Sequence, residues 1–321
     1  MTHYSQLTQE QRYHISGLRK AGNSQISIAD AVGVHKSTIS REIARNSGER
    51  GYRPKQANEL TLKKRHNAAK HITFVPALQK MVTEKILMDW SPDQISGYFK
   101  VNGIATISHE RIYQFLLADK KSGGTLHTHL RHSGKRRKKR YGSKDRRGQI
   151  KNRILIDERP KVVDKKERLG DWEGDTIIGA QQQKAIVTLV DRASKLTRMG
   201  PVATKHSDTV SEIIVDLLRP MRRITHTVTL DNGKEFSGHE DIAKSLSTNI
   251  YFAHPYSSWE RGLNENTNGL IRQYIKKGSS FDGITAKRIA FIEDRLNNRP
   301  RKSLAYCTPN QVYREALMRV G

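Results

Sequence analysis

Three acidic residues fall where their chemistry matters. Asp175 lies in Trp172-Glu173-Gly174-Asp175-Thr176-Ile177-Ile178-Gly179, a stretch that predicts a central strand. A carboxylate there is costly unless a cation or a partner neutralises it. Asp231 follows the β-branched run Thr225 to Leu230 and opens Asp231-Asn232-Gly233, a turn that leaves its carboxylate at the strand's C-terminal edge. Glu265, separated from Asp231 by 33 residues, sits in Asn264-Glu265-Asn266-Thr267-Asn268-Gly269-Leu270-Ile271-Arg272, which reads as a helix passing the same edge. Carboxylates are the ligands that hard Mg2+ or Mn2+ takes. Two such ions per site, roughly 4 Å apart, activate the attacking oxygen and stabilise the leaving one in phosphodiester transfer, and no covalent protein nucleophile is needed. Arg272, seven residues beyond Glu265 on the same helix face, is placed to hold a DNA phosphate beside the ions. Each acid alone has an innocent reading, Asp231 as turn chemistry and Glu265 as a surface carboxylate, so the joint placement carries the argument. Glu260 in Trp259-Glu260-Arg261-Gly262 competes for the role of third acid, while Glu173, Asp191 and Glu235 are candidates for supporting or structural roles.

The elements that must position this trio are legible in the surrounding pattern. Asp171 to Ile178, Lys184 to Asp191 and Thr197 to Val202 predict three strands in quick succession. An amphipathic helix follows over Asp208 to Arg222, with Val210, Ile213, Ile214, Leu217 and Leu218 at helical spacing. Thr225 to Leu230 then reads as a strand, Glu240 to Leu246 as a short helix and Ile250 to Ala253 as a fifth strand, before helices around 260–275 and 285–298. The result is an α/β layer with a five-stranded mixed sheet, in the order found in ribonuclease-H-like, integrase-type domains.

The front of the chain has a different grammar. Thr8-Gln9-Glu10-Gln11 has capping-box spacing and starts a helix running to Lys20. A second helix starts after Ser24, Gly33 allows a sharp turn, and Ser37-Thr38-Ile39-Ser40-Arg41-Glu42-Ile43 starts a third, the layout of a helix-turn-helix over residues 1–50. Lys36, Ser37, Thr38, Ser40 and Arg41 are side chains suited to base edges and phosphates. Between 51 and 130, Ser91-Pro92-Asp93-Gln94 and Ser108 cap two further helices that read as a second helix-turn-helix, offering His109, Arg111 and Gln114 to DNA. Residues 131–165 form a basic linker in which Lys135, Arg136, Arg137, Lys138, Lys139 and Arg140 track phosphates, and 166–321 form the catalytic domain with its C-terminal helices. His127, His129 and His132 lack the cysteines or carboxylates that would make them a metal site.

Composition agrees with double-stranded DNA as partner. The 58 Lys and Arg against 32 Asp and Glu leave a net charge of +26, which no folding requirement explains and which a polyanion does. A basic membrane-surface protein is the rival, but it calls for a lipidation signal or a strong amphipathic helix, and neither is evident. The polar opening and apolar runs no longer than Ala185 to Val187 predict no membrane span, and the single Cys307 fits a reducing cytoplasm, where the nucleoid lies.

The stretches WEGDTIIG, TLDNGKEF, WERGLNENTNGLIRQY and RLNNRPRKSLAYCTPNQVY, with KSTISREI near the front, resemble the acid-acid-Glu transposases of the insertion-sequence-thirty family over essentially the whole chain. The resemblance implies that Asp175, Asp231 and Glu265 bind two divalent ions, that terminal inverted repeats are bound, and that hydrolysis frees 3′-hydroxyls which then attack target DNA. Because two DNA ends must meet, a homo-oligomer on DNA is expected. A DNA-binding regulator built on the same fold, and a metal-dependent nuclease that cuts without joining, are the alternatives. A regulator has no need to keep all three acids, and a bare nuclease has no evident use for sequence-reading modules.

Overall fold

A computed structural model describes residues 6–67, 74–131, 150–180, 184–255 and 257–320. Lys135, Arg136, Arg137, Lys138, Lys139 and Arg140 of the linker, and His132, lie outside the described residues. The chain divides into two compact units, one ending at residue 73 and the other running from Phe74 onward.

The first unit holds α1 (Gln9–Lys20), α2 (Gln25–Val32), α3 (Lys36–Asn46) and α4 (Pro54–Asn67). Thr8 and Gln11 close the expected capping box on α1. Gly33, at φ 71°, ends α2 in the left-handed conformation that glycine adopts without a Cβ penalty, and the His35 side chain caps α3, which starts at Lys36, one residue before the expected Ser37. Ile15, Ile28, Ala29 and Ile39 form the core, and Ala57 of α4 completes it. A buried ion pair ties the helices together: Arg12 Nε donates to Glu42 Oε1 at 2.7 Å, and the same guanidinium reaches Leu7 O, Asn58 and Thr61. Helix α4 therefore belongs with the front helices, although the sequence reading opens the next domain at residue 51. Its weak apolar periodicity hides a helix that docks largely through polar contacts to Arg12.

The second unit begins with α5 (Pro76–Leu87), α6 (Pro92–Val101) and α7 (His109–Lys121) around Val82, Ile86, Trp90, Ile95, Phe99, Ile112 and Leu116. Ser91 and Gln94 form the expected capping box, and Ser108 caps α7. The link from α6 to α7 spans residues 102–108, longer than the Gly33–His35 link between α2 and α3. These helices dock on the C-terminal part of the chain. Gly97 lies so close to the Tyr306 ring that an added Cβ would meet it at 2.2 Å. Tyr274 Oη donates to Asp89 Oδ2 at 2.9 Å, and Gln273 Nε2 donates to the His129 carbonyl at 2.8 Å.

After the short helix α8 (Val162–Lys165) comes the sheet: β1 (Asp171–Ile178), β2 (Ala185–Asp191), β3 (Thr197–Val202), β4 (Thr227–Leu230) and β5 (Asn249–Phe252), in spatial order β3-β2-β1-β4-β5. The first three strands are antiparallel neighbours, while β4 and β5 join β1 in parallel. Helices α9 (Ser207–Leu218) and α10 (His239–Leu246) cover one face through Val210, Ile214, Leu218, Ile242 and Leu246. On the other face α11 (Gly262–Ile271) and α12 (Ala286–Asn297) pack Leu270, Ile271, Ile289, Ile292 and Leu296 on Ile177, Ile186 and Met199. With both faces covered, all seven residues of β2 are buried. This is the ribonuclease-H-like arrangement. Pro220 ends α9 sooner than the apolar spacing suggests, so Arg219–Ile224 tightens into a 3-10 turn and β4 starts at Thr227. A last helix, α13 (Pro309–Val320), closes the described chain. Among the described residues no helix is long and apolar enough to cross a membrane.

Candidate active site

Strand register brings the first two acids together. In the parallel pair β1 and β4, Glu173 stands opposite Thr229. Two residues further along each strand lie Asp175 and Asp231, on the same side of the sheet edge as Glu173 and Thr229 because side chains alternate. Gly174 permits the close approach, since a Cβ there would meet Leu230 Cδ2 at 2.5 Å. Beyond β4, the Asp231 side chain accepts from Gly233 N at 2.9 Å, and Asn232 Nδ2 donates to the Ala253 carbonyl, so the turn is pinned to the end of β5.

Asp175 is held on several sides. Thr176 N donates to its Oδ1 at 2.9 Å, and Asn268 Nδ2 of α11 donates to its Oδ2 at 2.7 Å. Burial pushes its acidity well away from the ordinary aspartate range, to a pKa of about 6. Arg261 opposes the rise, while Asp231 and Glu235 add to it. Between Asp175 and Asp231 stands the guanidinium of Arg261, with Nη1 3.7 Å from Asp175 Oδ1 and Nη2 3.4 Å from Asp231 Oδ2. Two carboxylates thus converge on one positive group at the strand edge. That donor set suits a hard divalent cation.

Helix α11 carries Glu265, the third acid that the sequence singles out. Its start is fixed by Glu173, whose Oε2 accepts from Asn264 N at 3.1 Å while Oε1 takes a 2.9 Å bond from Arg192. A carboxylate at the first turn stabilises the helix electrostatically as well as by hydrogen bonding. Glu265, Asn268 and Arg272 follow at intervals of three and four residues, so they share a face. They line an open cavity of about 710 Å3 together with Asp175, Arg261, Arg131 and Lys277. Arg272 sits just past the helix end, where Nη2 donates to the Ile178 carbonyl and burial lowers its pKa. Among the described residues, no three His, Cys, Asp or Glu side chains are grouped so as to hold a metal ion. The acids are instead linked pairwise, Asp175 to Asp231 through Arg261 and Asp175 to Glu265 across the cavity.

The competing acids have other work. Glu260 accepts from His254 N at 2.8 Å and lies 2.9 Å from His254 Nδ1, and the other ring nitrogen of His254 meets Asp157. Those partners, Glu260 first, raise the His254 pKa. Glu173 is buried against Arg192, and Asp191 binds Ser194 and Gly170 N. Glu235 accepts from Thr176 Oγ1 at 2.9 Å and pairs with Lys205. Burial alone would raise its pKa, but its own backbone N–H, Lys205 and Thr176 together hold it low. Arg261, Asn268 and Arg131 do not stand out in the sequence. Asn268 is recoverable from its helical spacing to Glu265, whereas Arg261 and Arg131 reach the site from irregular segments that carry no periodic signal.

In the first unit Lys36, Ser40 and Arg41 are exposed on α3, while Ser37, tied to His35, and Thr38 are half-buried. Thr38 and Arg41 border a hollow that also includes Arg45, Lys64 and Arg65. On α7, His109, Arg111 and Gln114 are exposed, with Arg111 donating to Gln114 and lying over the Phe74 ring.

Residues 3–46 match the family described as "Helix-turn-helix domain". The chain is 45% identical over 313 residues to the transposase for insertion sequence element IS4351 of Bacteroides fragilis, covering 97% of this chain and 96% of that one. It is 37% identical over 320 residues to transposase InsI for IS30A of Escherichia coli K12, covering 95% and 82%. The transposase for IS1086 of Cupriavidus metallidurans is 33% identical over 332 residues, covering 98% and 96%. Among solved structures, the catalytic core domain of BIV integrase aligns with 46% of this chain and 96% of its own, at 19% identity and a TM-score of 0.37.

Proposed function

The chain belongs to the IS30 family of transposases, and from that premise we propose that it binds the terminal inverted repeats of its own insertion sequence, hydrolyses phosphodiesters there to free 3′-hydroxyls, and transfers these to target DNA by two-metal-ion catalysis. The observation that carries the mechanism is the convergence of Asp175 and Asp231 on one cation, with Glu265 lining the same cavity as Asp175. Asp175, Asp231 and Glu265 would hold two Mg2+ or Mn2+ ions. When bound, these supply Lewis-acid stabilisation of the charge that builds on the phosphodiester. The protein's own part is placement. Asn268 and Thr176 N fix the Asp175 carboxylate, Glu173 fixes the start of α11, and Arg272, Arg131 and Lys277 present positive charge to the DNA phosphates.

Recognition falls to the front of the chain. Helix α3 offers Lys36, Ser37, Thr38, Ser40 and Arg41 to a major groove, and α4 goes with that reading unit. His109, Arg111 and Gln114 of α7 make a second DNA contact, and Lys135 to Arg140 in the linker add affinity independent of sequence. The protein works on nucleoid DNA in the cytoplasm as a homo-oligomer that pairs two element ends. The test is to incubate it with linear DNA bearing those ends and a separate target duplex, in Mg2+ or EDTA, and to map 3′ ends and joined products. Cut ends with joined product in Mg2+ support the reading. Cutting without joining makes the protein a nuclease, and binding without cutting makes it a regulator.

A further inference from the structure

The cation between the two strand-edge acids belongs to the protein itself. Resting on the reading of Asp175 and Asp231 as ion ligands, we propose that Arg261 is a resident counter-ion, occupying the place of a divalent ion between these carboxylates and giving it up when the ion binds. The site is then a competition between an internal guanidinium and a diffusible metal.

The geometry favours a displaceable contact over a structural ion pair. A guanidinium locked to a carboxylate sits at about 2.7 to 2.9 Å, often in two parallel bonds. Arg12 and Arg192 show what that looks like here, at 2.7 Å from Glu42 and 2.9 Å from Glu173. Arg261 stands off at 3.7 and 3.4 Å from its two acids, and among the described residues its one hydrogen bond is from Nη1 to the Gly174 carbonyl at 3.1 Å. Its Nε is buried and has no hydrogen-bond partner among the described residues. The guanidinium is therefore under-satisfied on both sides and serves mainly as positive charge.

What holds the backbone is separate from what holds the side chain. Arg261 ends a 3-10 turn, Ser258–Arg261, whose neighbour Glu260 is clamped to His254 through its backbone N–H and its ring. The turn can stay fixed while the long side chain moves. Beside it lies the cavity that Arg261 already lines with Arg272 and Lys277, which is open to solvent and offers the displaced group room. Without Arg261, two carboxylates of one charge sign face each other at a partly buried edge, an arrangement that needs a cation.

Binding of Mn2+ to the full-length protein without DNA, followed by electron paramagnetic resonance and calorimetry, tests the proposal. Wild type is compared with Arg261→Gln, Asp231→Asn and the double variant. Arg261→Gln should bind Mn2+ at least about tenfold more tightly than wild type, and its melting temperature should rise more on going from EDTA to Mn2+. Equal or weaker Mn2+ binding by Arg261→Gln, with Asp231→Asn abolishing binding, overturns the counter-ion while leaving the ion ligands intact. Binding that survives Asp231→Asn in both backgrounds overturns the ligand assignment and the counter-ion with it. If Arg261→Gln is unfolded in EDTA, recovery of its circular dichroism by Mn2+ supports the proposal, and failure to recover contradicts it.

Discussion

Asp175 carries a charge that the fold works against, so removing the charge should stabilise the metal-free protein. Burial lifts its pKa to about 6, against 3.8 for the free side chain. The folded state therefore holds the proton more tightly than the unfolded state between these two values. Stability is greatest below the lower value and is lost as pH rises through the window. The difference amounts to about 3 kcal/mol over the whole window, with roughly half of it lost above pH 5. Asp175→Asn keeps the shape and can still accept a hydrogen bond from Asn268 or Thr176, but it cannot ionise. In EDTA at pH 8 this variant should be more stable than wild type by about 2 to 3 kcal/mol, and the gap should narrow by about 1.5 kcal/mol at pH 5. Urea titrations followed by tryptophan emission read the correct unit, because Trp90 and Trp172 are both buried in it. An Asp175→Asn protein less stable than wild type at pH 8 would refute the reasoning, and would mean that Arg261 and the hydrogen bonds more than offset the burial of the charge.

Glu42→Gln leaves Arg12 buried without its ion-pair partner and should destabilise the first unit by about 3 to 5 kcal/mol; hydrogen exchange should show α1 and α3 amides losing protection while β2 amides keep theirs. Arg41→Ala should lower discrimination between terminal-repeat and random duplexes by about 1 to 3 kcal/mol in competition binding, whereas an equal effect on both would reduce Arg41 to a phosphate-binding role. Arg131→Ala should weaken binding to every sequence alike and flatten the log-log salt slope by about 0.9, and neutralising Lys135 to Arg140 should flatten it by about the same amount for each phosphate no longer held; an unchanged slope removes these residues from the DNA path. Gly97→Ala should disturb the docking of α6 on Tyr306 and cost about 1 to 3 kcal/mol, measured by the same urea titrations.

The regular parts of this fold are legible in the sequence because their hydrophobic patterns are local. The limits of β1 and β3 match the sequence expectation, and the capping boxes at Thr8 and Ser91 mark their helices correctly. What the pattern does not reveal is held by polar or distant contacts. Helix α4 shows little periodicity because Arg12 anchors it through Asn58 and Thr61, and the docking of α5 to α7 depends on the fit of Gly97 to Tyr306 and of Asp89 to Tyr274. At the site, Asp175 and Asp231 can be paired from sequence because each ends or interrupts an apolar strand. Arg261 cannot, since its guanidinium arrives from a turn whose position depends on Glu260 and His254. Glu260 looks as eligible as Glu265 in the linear sequence, and the fold separates the two by engaging Glu260 with His254 and by placing Glu265 in the cavity that Asp175 lines.

If Asp175, Asp231 and Glu265 form one ion-binding site that serves both cutting and joining, the two reactions must fail together. The direct measurement is single-turnover cleavage and strand transfer on element-end DNA in Mg2+ by Asp175→Asn, Asp231→Asn and Glu265→Gln, with Glu260→Gln alongside and DNA affinity measured in parallel. Each triad variant should bind DNA as wild type does yet lose both reactions by at least about a thousandfold, while Glu260→Gln stays within about tenfold of wild type. Cleavage near the wild-type rate by all three triad variants would contradict the mechanism, and a dead Glu260→Gln beside an active Glu265→Gln would move the third ligand to Glu260.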